Sequence, residues 1–244
     1  MKGILLCGGT GSRLSPLTKV TNKHLLPVGN IPMVLHNVYK LVEAGINEIV
    51  IVTGTEHMGG MISLLGSGKD YDCEFTYKVQ DRPDGIAGAL KLCEHFVGSD
   101  SCIVILGDNI FDQDLTNHIS SYTDGCKLLL KEVPDPERFG VAVIENDVLI
   151  NVVEKPKIPP SNLCVIGVYI FDSDVFDIVK TLRASSRGEF EITDIINVYI
   201  NNKNVLYSIA EGWWTDAGTF SSYAKANELA FRRYFDTKTD SDNG

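Results

Sequence analysis

The first half of this 244-residue sequence repeats one pattern, in which a short, continuous apolar run is followed by a stretch with helical periodicity. Apolar runs occur at residues 2–7, 48–53 and 102–106. Runs of this length without polar alternation are typical of strands buried on both faces of a sheet. Strands that alternate with helices imply right-handed crossovers and parallel pairing. The sequence therefore predicts an α/β fold with a mostly parallel central sheet flanked by helices.

The second half introduces antiparallel pairing, because Glu145-Asn146-Asp147 has the composition of a hairpin turn between two strands. Further strands are predicted at residues 73–79, 127–132, 141–145, 148–153 and 165–171. Helices are predicted at residues 33–42, 58–65, 84–97, 114–122, 173–182, 191–201 and 220–231. No linker separates these elements, so residues 1–236 are expected to form a single domain, followed by a polar, disordered tail at residues 237–244.

The net charge of −10 argues against nucleic acid and anionic membranes as partners, because polyanions would be repelled. The charge is uneven, since residues 1–42 contain five Lys or Arg and no Asp or Glu. That segment carries +5 and the remainder −15. A basic segment in an acidic protein suits a small phosphorylated ligand, although the segment can also lack acids by chance.

Neither a membrane anchor nor a cysteine framework is indicated. No run of 18 apolar residues occurs, and the apolar run at the start is too short for a signal peptide. The six cysteines are widely spaced without a C-x-x-C pair, which argues against zinc and disulfides. We therefore expect a cytoplasmic protein.

A glycine-rich loop follows the first predicted strand. Gly8, Gly9 and Gly11 allow the backbone to approach phosphate oxygens and to donate its N–H groups to them, and Arg13 adds a forked cation. Two better-known phosphate loops fail on spacing. A dinucleotide loop needs glycine where Leu14 stands, and a Walker A loop at the Gly68-Lys69 pair has Asp70 where Ser or Thr should bind Mg²⁺.

Asp108 follows the predicted strand at residues 102–106, at the sheet edge where ligands bind in open α/β folds. A carboxylate there can bind Mg²⁺, which prefers hard oxygen ligands and bridges substrate phosphates. An aspartate after a strand is also a common turn or cap residue, so a metal site needs a second ligand. Asp216 is the candidate, because it too stands among turn residues after an apolar strand.

Glu154 and Lys155 end another predicted strand. The acid can hydrogen-bond sugar hydroxyls while the lysine binds a phosphate, or the two can form an exposed ion pair. The Trp213-Trp214 pair is interpreted as a core or subunit anchor rather than a sugar platform.

Taken in order, these segments resemble the sugar nucleotidyltransferases, and most closely the glucose-1-phosphate thymidylyltransferases. The similarity covers most of the chain. Its motifs are G-G-T-G-S-R-L-S-P-L-T (residues 8–18), K-H-L-L-P-V (23–28), P-D-G-I-A (83–87), L-G-D-N (106–109), P-E-R-F-G-V (136–141), E-K-P (154–156), G-E-F-E-I-T-D (188–194) and W-x-D-x-G-T (214–219).

The resemblance implies the Rossmann-like nucleotide-diphospho-sugar transferase fold, with a nucleotide-binding half at about residues 1–110 and a partly antiparallel sugar-binding half at about 111–236. It implies in-line attack of a sugar 1-phosphate on the α-phosphorus of a nucleoside triphosphate, which expels pyrophosphate without a covalent enzyme intermediate. The expected partners are dTTP and glucose 1-phosphate, the expected cofactor is Mg²⁺, and a homo-oligomer is expected.

Site residues follow from the same resemblance, position by position. The implied catalytic residues are Arg13, Lys23 and Lys155. The implied nucleotide-binding residues are Leu6, Gly8, Gly9, Gly11, Gln80, Gly85 and Asp108. The implied sugar-binding residues are Asn109, Gly140, Glu154, Lys155 and Tyr169, with Glu189 and Glu191 at the border. The implied metal ligands are Asp108 and Asp216.

The sequence departs from the usual family pattern at Cys7, Ser15, Gly88, Phe139 and Ile166. None of these is a charged catalytic position, but Gly88 and Ile166 lie near the segments that the resemblance assigns to base and sugar recognition. Two alternative substrate assignments therefore remain: a UTP- or CTP-dependent enzyme, and an enzyme that acts on an amino sugar phosphate. A nucleotide-sugar sensor without activity is a third possibility, which the intact Arg13, Lys23, Asp108 and Asp216 disfavour.

Overall fold

The computed structural model describes residues 1–82, 84–185, 188–202 and 205–241. Pro83 of the P-D-G-I-A motif and residues 242–244 of the predicted tail lie outside these ranges. The strands are β1 (Lys2–Cys7), β2 (Pro27–Val28), β3 (Ile31–Pro32), β4 (Glu48–Gly54), β5 (Glu74–Gln80), β6 (Cys102–Leu106), β7 (Asn109–Phe111), β8 (Cys126–Glu132), β9 (Gly140–Glu145), β10 (Val148–Glu154), β11 (Leu163–Phe171), β12 (Val205–Ile209) and β13 (Trp214–Asp216). The helices are α1 (Met33–Glu43), α2 (Met58–Leu65), α3 (Ile86–Lys91), α4 (Glu94–Val97), α5 (Thr116–Ser120), α6 (Val175–Thr181), α7 (Ile192–Asn202) and α8 (Phe220–Ser241).

The N-terminal half forms a parallel sheet in the order β6-β1-β4-β5. Gly3 of β1 pairs with Ile49 of β4 on one side and with Ile103 of β6 on the other. The chain thus adds β4 and β5 on one side of β1 before it returns to add β6 on the opposite side. At such a reversal the connections diverge and leave a crevice at the carboxyl ends of the strands. The glycine-rich loop after β1 and Asp108 after β6 therefore meet at this crevice.

The antiparallel part begins at β11. One edge of β11 pairs with β8, and the other edge pairs with β9 near its start and with β6 near its end. The β9–β10 hairpin turns at Asn146 and Asp147, both with positive φ, as tight hairpins require. Strand β12 adds to β8 in parallel. A mostly parallel core with an antiparallel extension confirms the predicted fold class.

Both faces of the central sheet are buried. Ile4 and Leu6 of β1 pack in one apolar cluster with α3, α6 and α7, whereas Leu5 and Cys7 pack in a second cluster with α1 and α2. Successive side chains of a strand point to opposite faces, so burial on both sides requires apolar residues at every position. This arrangement explains the continuous apolar runs of the sequence.

Three features differ from the prediction. The single helix predicted at residues 84–97 is two helices, because Leu92 and Cys93 donate to carbonyls three residues back, at Ala89 and Leu90, in place of four. The short strands β2, β3, β7 and β13, and the longer β12, lie in segments for which no strand range is predicted. Asp216 is the last residue of β13 rather than a turn residue after a strand. Helix α8 continues to Ser241 and so includes the first part of the segment predicted as a polar tail.

Helix α8 packs against the β2–β3 hairpin through a small apolar cluster that includes Val28, Met33 and Ala226. Within the ranges that the structure describes, no helix is both long and apolar enough to span a membrane.

Candidate active site

A cavity of about 590 Å³ opens at the carboxyl ends of β1 and β6. The predicted site residues in its wall are Leu6, Gly8, Gly9, Arg13, Lys23, Gln80, Gly85, Asp108, Asn109, Gly140, Glu154, Lys155, Tyr169 and Asp216. Of the predicted residues, Gly11 is the one that does not line the cavity. Its carbonyl accepts a hydrogen bond of 2.9 Å from the Thr18 hydroxyl, so this glycine shapes the loop from behind.

The base of the glycine-rich loop lies against the end of β5. A Cβ on Gly8 would lie 2.8 Å from Oε1 of Gln80, so a larger residue would push the Gln80 side chain away. Gly9 has a φ of +91°, which favours glycine. The loop therefore keeps its backbone close to both the crevice and Gln80.

The Gln80 amide is held by the segment before α3. Its Nε2 donates to Oδ1 of Asp84 at 2.7 Å and to the Gly85 carbonyl at 3.3 Å. Gly85 has a φ of +99°, and a Cβ there would meet the Phe190 carbonyl oxygen at 2.6 Å. A Cβ on Gly88 would overlap the Asp84 carboxylate, so the glycine that departs from the family pattern creates the space for Asp84.

Lys23 and Asp108 form an ion pair at the centre of the crevice, with Nζ 2.5 Å from Oδ2. Burial would raise the pKa of Asp108, but the Lys23 ammonium outweighs burial and holds the pKa well below its usual range. The turn that carries Lys23 is anchored by Asn22, which donates to the Cys7 carbonyl at 3.1 Å and accepts from the His24 backbone at 2.9 Å. Burial lowers the pKa of His24 to about 3, so its ring is neutral.

Asp216 reaches Asp108 through the pairing of β13 with β7, in which Asp216 lies opposite Asn109. The backbone N–H of Ala217 also donates to the Asp108 carbonyl at 2.7 Å. Burial raises the pKa of Asp216, Arg138 opposes this rise and the Asp108 charge adds to it. The two predicted metal ligands are therefore close enough to interact electrostatically.

This pair of carboxylates fits a Mg²⁺ site that is completed by substrate. Within the described ranges, no group of three or more His, Cys, Asp or Glu side chains could enclose a metal ion. Mg²⁺ is usually bound by one or two carboxylates together with waters and substrate phosphates. A Cβ on Gly218 would lie 3.1 Å from Nη2 of Arg13 and 3.4 Å from Oδ2 of Asp108, so this glycine leaves room for a cation and a carboxylate to face the same space.

Glu154 is the last residue of β10, and it lines the cavity together with Lys155. Lys155 Nζ lies 3.3 Å from Oε1 of Glu154, and the Lys155 backbone N–H donates to the Phe139 carbonyl at 2.9 Å. A Cβ on Gly140 would meet Thr193 at 3.0 Å, so glycine keeps this wall open. Thr193 is buried, and its hydroxyl has no hydrogen-bond partner within the part of the chain that the structure describes.

Asn109 connects three segments that surround the site. Its Nδ2 donates to Asp108 Oδ1 at 3.1 Å, and its Oδ1 accepts from the Gly167 N–H at 3.1 Å and from Trp214 Nε1 at 2.8 Å. Asn109 lines the cavity, but its amide already holds Asp108 and Trp214 in position. Trp214 lines the same cavity and packs edge-on against Phe139. It also packs against the buried core, as does Trp213 beside α8, which agrees with the core anchor expected for this pair.

The sequence reasoning missed Arg138, Thr193 and Trp214 as cavity residues. Arg138 ends a 3₁₀ turn at Pro136–Arg138, and its guanidinium donates to both oxygens of Asp216 at 2.9 and 3.2 Å. All three lie inside motifs that carry the family resemblance. The charge of Arg138, two residues before Gly140, was the signal that could have identified it.

The sequence model of the nucleotidyl transferase family matches residues 2–232, which is nearly the whole chain. The chain belongs to the nucleotidyl transferase family. Transfer of a nucleotidyl group agrees with the composition of the crevice, in which cations and carboxylates face one cavity. The resemblance stated from the motifs is confirmed.

Similarity to known proteins indicates which kind of nucleotidyl transferase this chain is. A low-salt glycan biosynthesis nucleotidyltransferase of Haloferax volcanii is 41% identical over 94% of this chain and 66% of its own length. A glucose-1-phosphate thymidylyltransferase of Neisseria meningitidis is 38% identical over 93% of this chain and 81% of its own length. A Bacillus anthracis crystal structure, assigned as a glucose-1-phosphate thymidylyltransferase in complex with sucrose, is 55% identical with a TM-score of 0.91 over 95% of both chains. This nucleotidyl transferase is therefore a sugar nucleotidyltransferase.

Proposed function

We propose that this enzyme transfers a thymidylyl group from dTTP to glucose 1-phosphate with the help of Mg²⁺, giving dTDP-glucose and pyrophosphate. The observation that carries the proposal is the distribution of charge in one cavity. Asp108 and Asp216 lie beside Arg13 and Lys23 at the end of β1, and Lys155 lies with Glu154 in the wall of the same cavity. The named relatives support the choice of dTTP and glucose 1-phosphate.

In the proposed reaction a phosphate oxygen of glucose 1-phosphate forms a bond to the α-phosphorus of dTTP. The bond between the α-phosphorus and the bridging oxygen breaks, and its electron pair leaves with pyrophosphate. Such a displacement depends on positioning and charge stabilisation. The open glycine-rich loop and Arg13 bind the leaving β- and γ-phosphates, while Gln80 and Gly85 contact the base.

Asp108 and Asp216 bind the metal ion in this proposal. Bound Mg²⁺ would neutralise charge on the reacting phosphates. Lys23 sits against Asp108 and faces the same phosphates, while Lys155 orients the attacking phosphate of the sugar. Glu154 accepts hydrogen bonds from sugar hydroxyls beside Tyr169, whose buried ring closes this wall.

The test is a matrix of dTTP, UTP and CTP against glucose 1-phosphate, glucosamine 1-phosphate and N-acetylglucosamine 1-phosphate, followed by pyrophosphate release. We expect the fastest release with dTTP and glucose 1-phosphate, and loss of release in EDTA that added Mg²⁺ restores. A clear preference for UTP, CTP or the N-acetylated sugar would overturn the substrate assignment. The absence of release from every pair would favour a nucleotide-sugar sensor.

A cytoplasmic location belongs to the same proposal. All six cysteines are buried free thiols, which suits a reducing compartment. The expected homo-oligomer stays a prediction.

A further inference from the structure

Arg138 lies between two carboxylates at the rim of the cavity. Its Nη1 donates to Asp135 Oδ2 at 2.6 Å, and its Nη2 contacts both oxygens of Asp216. The Arg138 side chain is 38% exposed, whereas that of Asp216 is 17% exposed. Asp216 is thus more buried than Arg138, and the arginine contacts Asp216 from the solvent side of the cavity.

The contact with Arg138 uses the oxygens that a divalent cation would need. Mg²⁺ sits about 2.0–2.1 Å from its oxygen ligands. Nη2 lies 2.9 Å from Oδ2 of Asp216, so a dication on the same oxygen would face a guanidinium at close range. Like charges at such separation repel strongly in a partly buried site. Arginine and metal therefore compete for Asp216.

We propose that Arg138 is the counter-ion of Asp216 while no divalent cation is bound, that the cation displaces it, and that the freed guanidinium then binds a phosphate group in the cavity. The first two steps concern this chain's own residues and the metal. The third step rests on the proposed function, which supplies the phosphates.

The surroundings of Arg138 suit such an exchange. Asp135 is three residues away and holds Nη1, so the side chain keeps an anchor when Nη2 leaves Asp216. The guanidinium also lies 5.0 Å from the centre of the Phe139 ring, a contact that needs no carboxylate. A planar guanidinium fork matches two phosphate oxygens, so the displaced group gains a new partner of the same geometry.

The first experiment measures Mn²⁺ binding by the substrate-free protein, through the electron paramagnetic resonance signal of the free ion. Arg138→Met should bind Mn²⁺ roughly fivefold more tightly than the wild type, the size expected when a competing, partly exposed ion pair is removed. Arg232→Met is the matched control, because Arg232 forms an exposed ion pair with Glu228 on α8, away from the cavity. It should leave the affinity unchanged.

A double-mutant cycle separates displacement from a general change in charge. In the Asp216→Asn background Arg138 still contacts Asp135 but no longer occupies a charged ligand of the metal, so Arg138→Met should give no further tightening. Wild-type affinity in Arg138→Met, or an equal gain in both backgrounds, would overturn the proposal.

The second experiment measures pyrophosphate binding at saturating Mn²⁺ by calorimetry. Arg138→Met should bind pyrophosphate about tenfold more weakly, since a charge-assisted contact is lost. The proposed exchange predicts that Arg138→Met binds Mn²⁺ more tightly and pyrophosphate more weakly. Damage to the fold would instead weaken the binding of both ligands. Unchanged pyrophosphate affinity would refute the phosphate step. Neither experiment requires turnover, so each gives its result even if the proposed substrates are wrong.

Discussion

The Lys23 ammonium lies 2.5 Å from a carboxylate oxygen of Asp108, and both side chains are largely buried. The residues come from different segments, a 3₁₀ turn after the glycine-rich loop and the end of β6, which the sheet order brings together. The pair keeps a cation and an anion in the crevice at fixed positions. Such preorganised charge can stabilise a transition state without reorganisation during the reaction.

We predict that Asp108→Asn lowers kcat by roughly 10²- to 10³-fold, by analogy with the loss of a single group that stabilises the transition state. The amide keeps the shape of the side chain but loses the charge that faces Lys23 and the metal. Pyrophosphate release at saturating Mg²⁺ measures the effect, and circular dichroism checks the fold.

The control for this variant is Asp100→Asn, which removes a carboxylate from an exposed contact with Lys2 at the other end of the sheet. It should retain wild-type turnover. Near-normal turnover of a folded Asp108→Asn protein would contradict the assignment of Asp108.

The strands and helices of the N-terminal half were predictable because their patterns are local. The observed bounds of β1, α2 and β6 equal the predicted ones. Strand β13 was not predictable in this way, since three residues are too few to show a period. It exists because it pairs with β7, about a hundred positions earlier in the chain.

The candidate site also combines residues that local sequence patterns identify with contacts that they do not. Asp108 and the glycines could be singled out from their place after buried strands. The contact between Arg138 and Asp216 joins residues 78 positions apart through a turn and a short strand, so neither local composition nor periodicity contains it. The contact between Arg138 and Asp216 is visible only in the three-dimensional structure.

Gly88→Ala should raise the KM for dTTP several-fold while kcat changes less. The new Cβ would overlap the Asp84 carboxylate, which must then move away from the Gln80 amide and leave it free to rotate. Steady-state kinetics at saturating glucose 1-phosphate measure the change. Gly59→Ala is the matched control, because nothing lies within 4 Å of a Cβ at Gly59. An unchanged KM in Gly88→Ala would show that Gln80 does not depend on Asp84.

Lys155→Met should raise the KM for glucose 1-phosphate by about tenfold or more, because a charge-assisted contact to the sugar phosphate would be lost. The unbranched methionine preserves most of the side-chain volume. Lys157→Met is the control, since Lys157 is exposed two residues further on and does not line the cavity. If both variants behave alike, Lys155 has no special role in binding the sugar phosphate.

The last prediction concerns His118, which is buried, contacts Lys127 of β8 and Ser208 of β12, and does not line the cavity. Burial and, to a smaller extent, the Lys127 charge lower the pKa of His118 to about 4. The unfolded chain takes up a proton near the ordinary value of 6.5. Between these values the unfolded state binds more protons, so the free energy of unfolding falls as the pH drops. From pH 7 to pH 5 this histidine should contribute a loss on the order of 2 kcal/mol.

His24 also makes the free energy of unfolding fall as the pH drops, because burial lowers its pKa to about 3. Replacing His118 by Phe removes one of these two histidines. It also removes a buried nitrogen, Nε2, that has no hydrogen-bond partner among the described residues. Urea unfolding at pH 7, 6 and 5 should therefore show a pH dependence roughly half as steep in His118→Phe as in the wild type. His95→Phe, at an exposed position, should keep the wild-type slope. If His118→Phe also keeps that slope, His118 binds its proton in the folded protein as readily as in the unfolded chain.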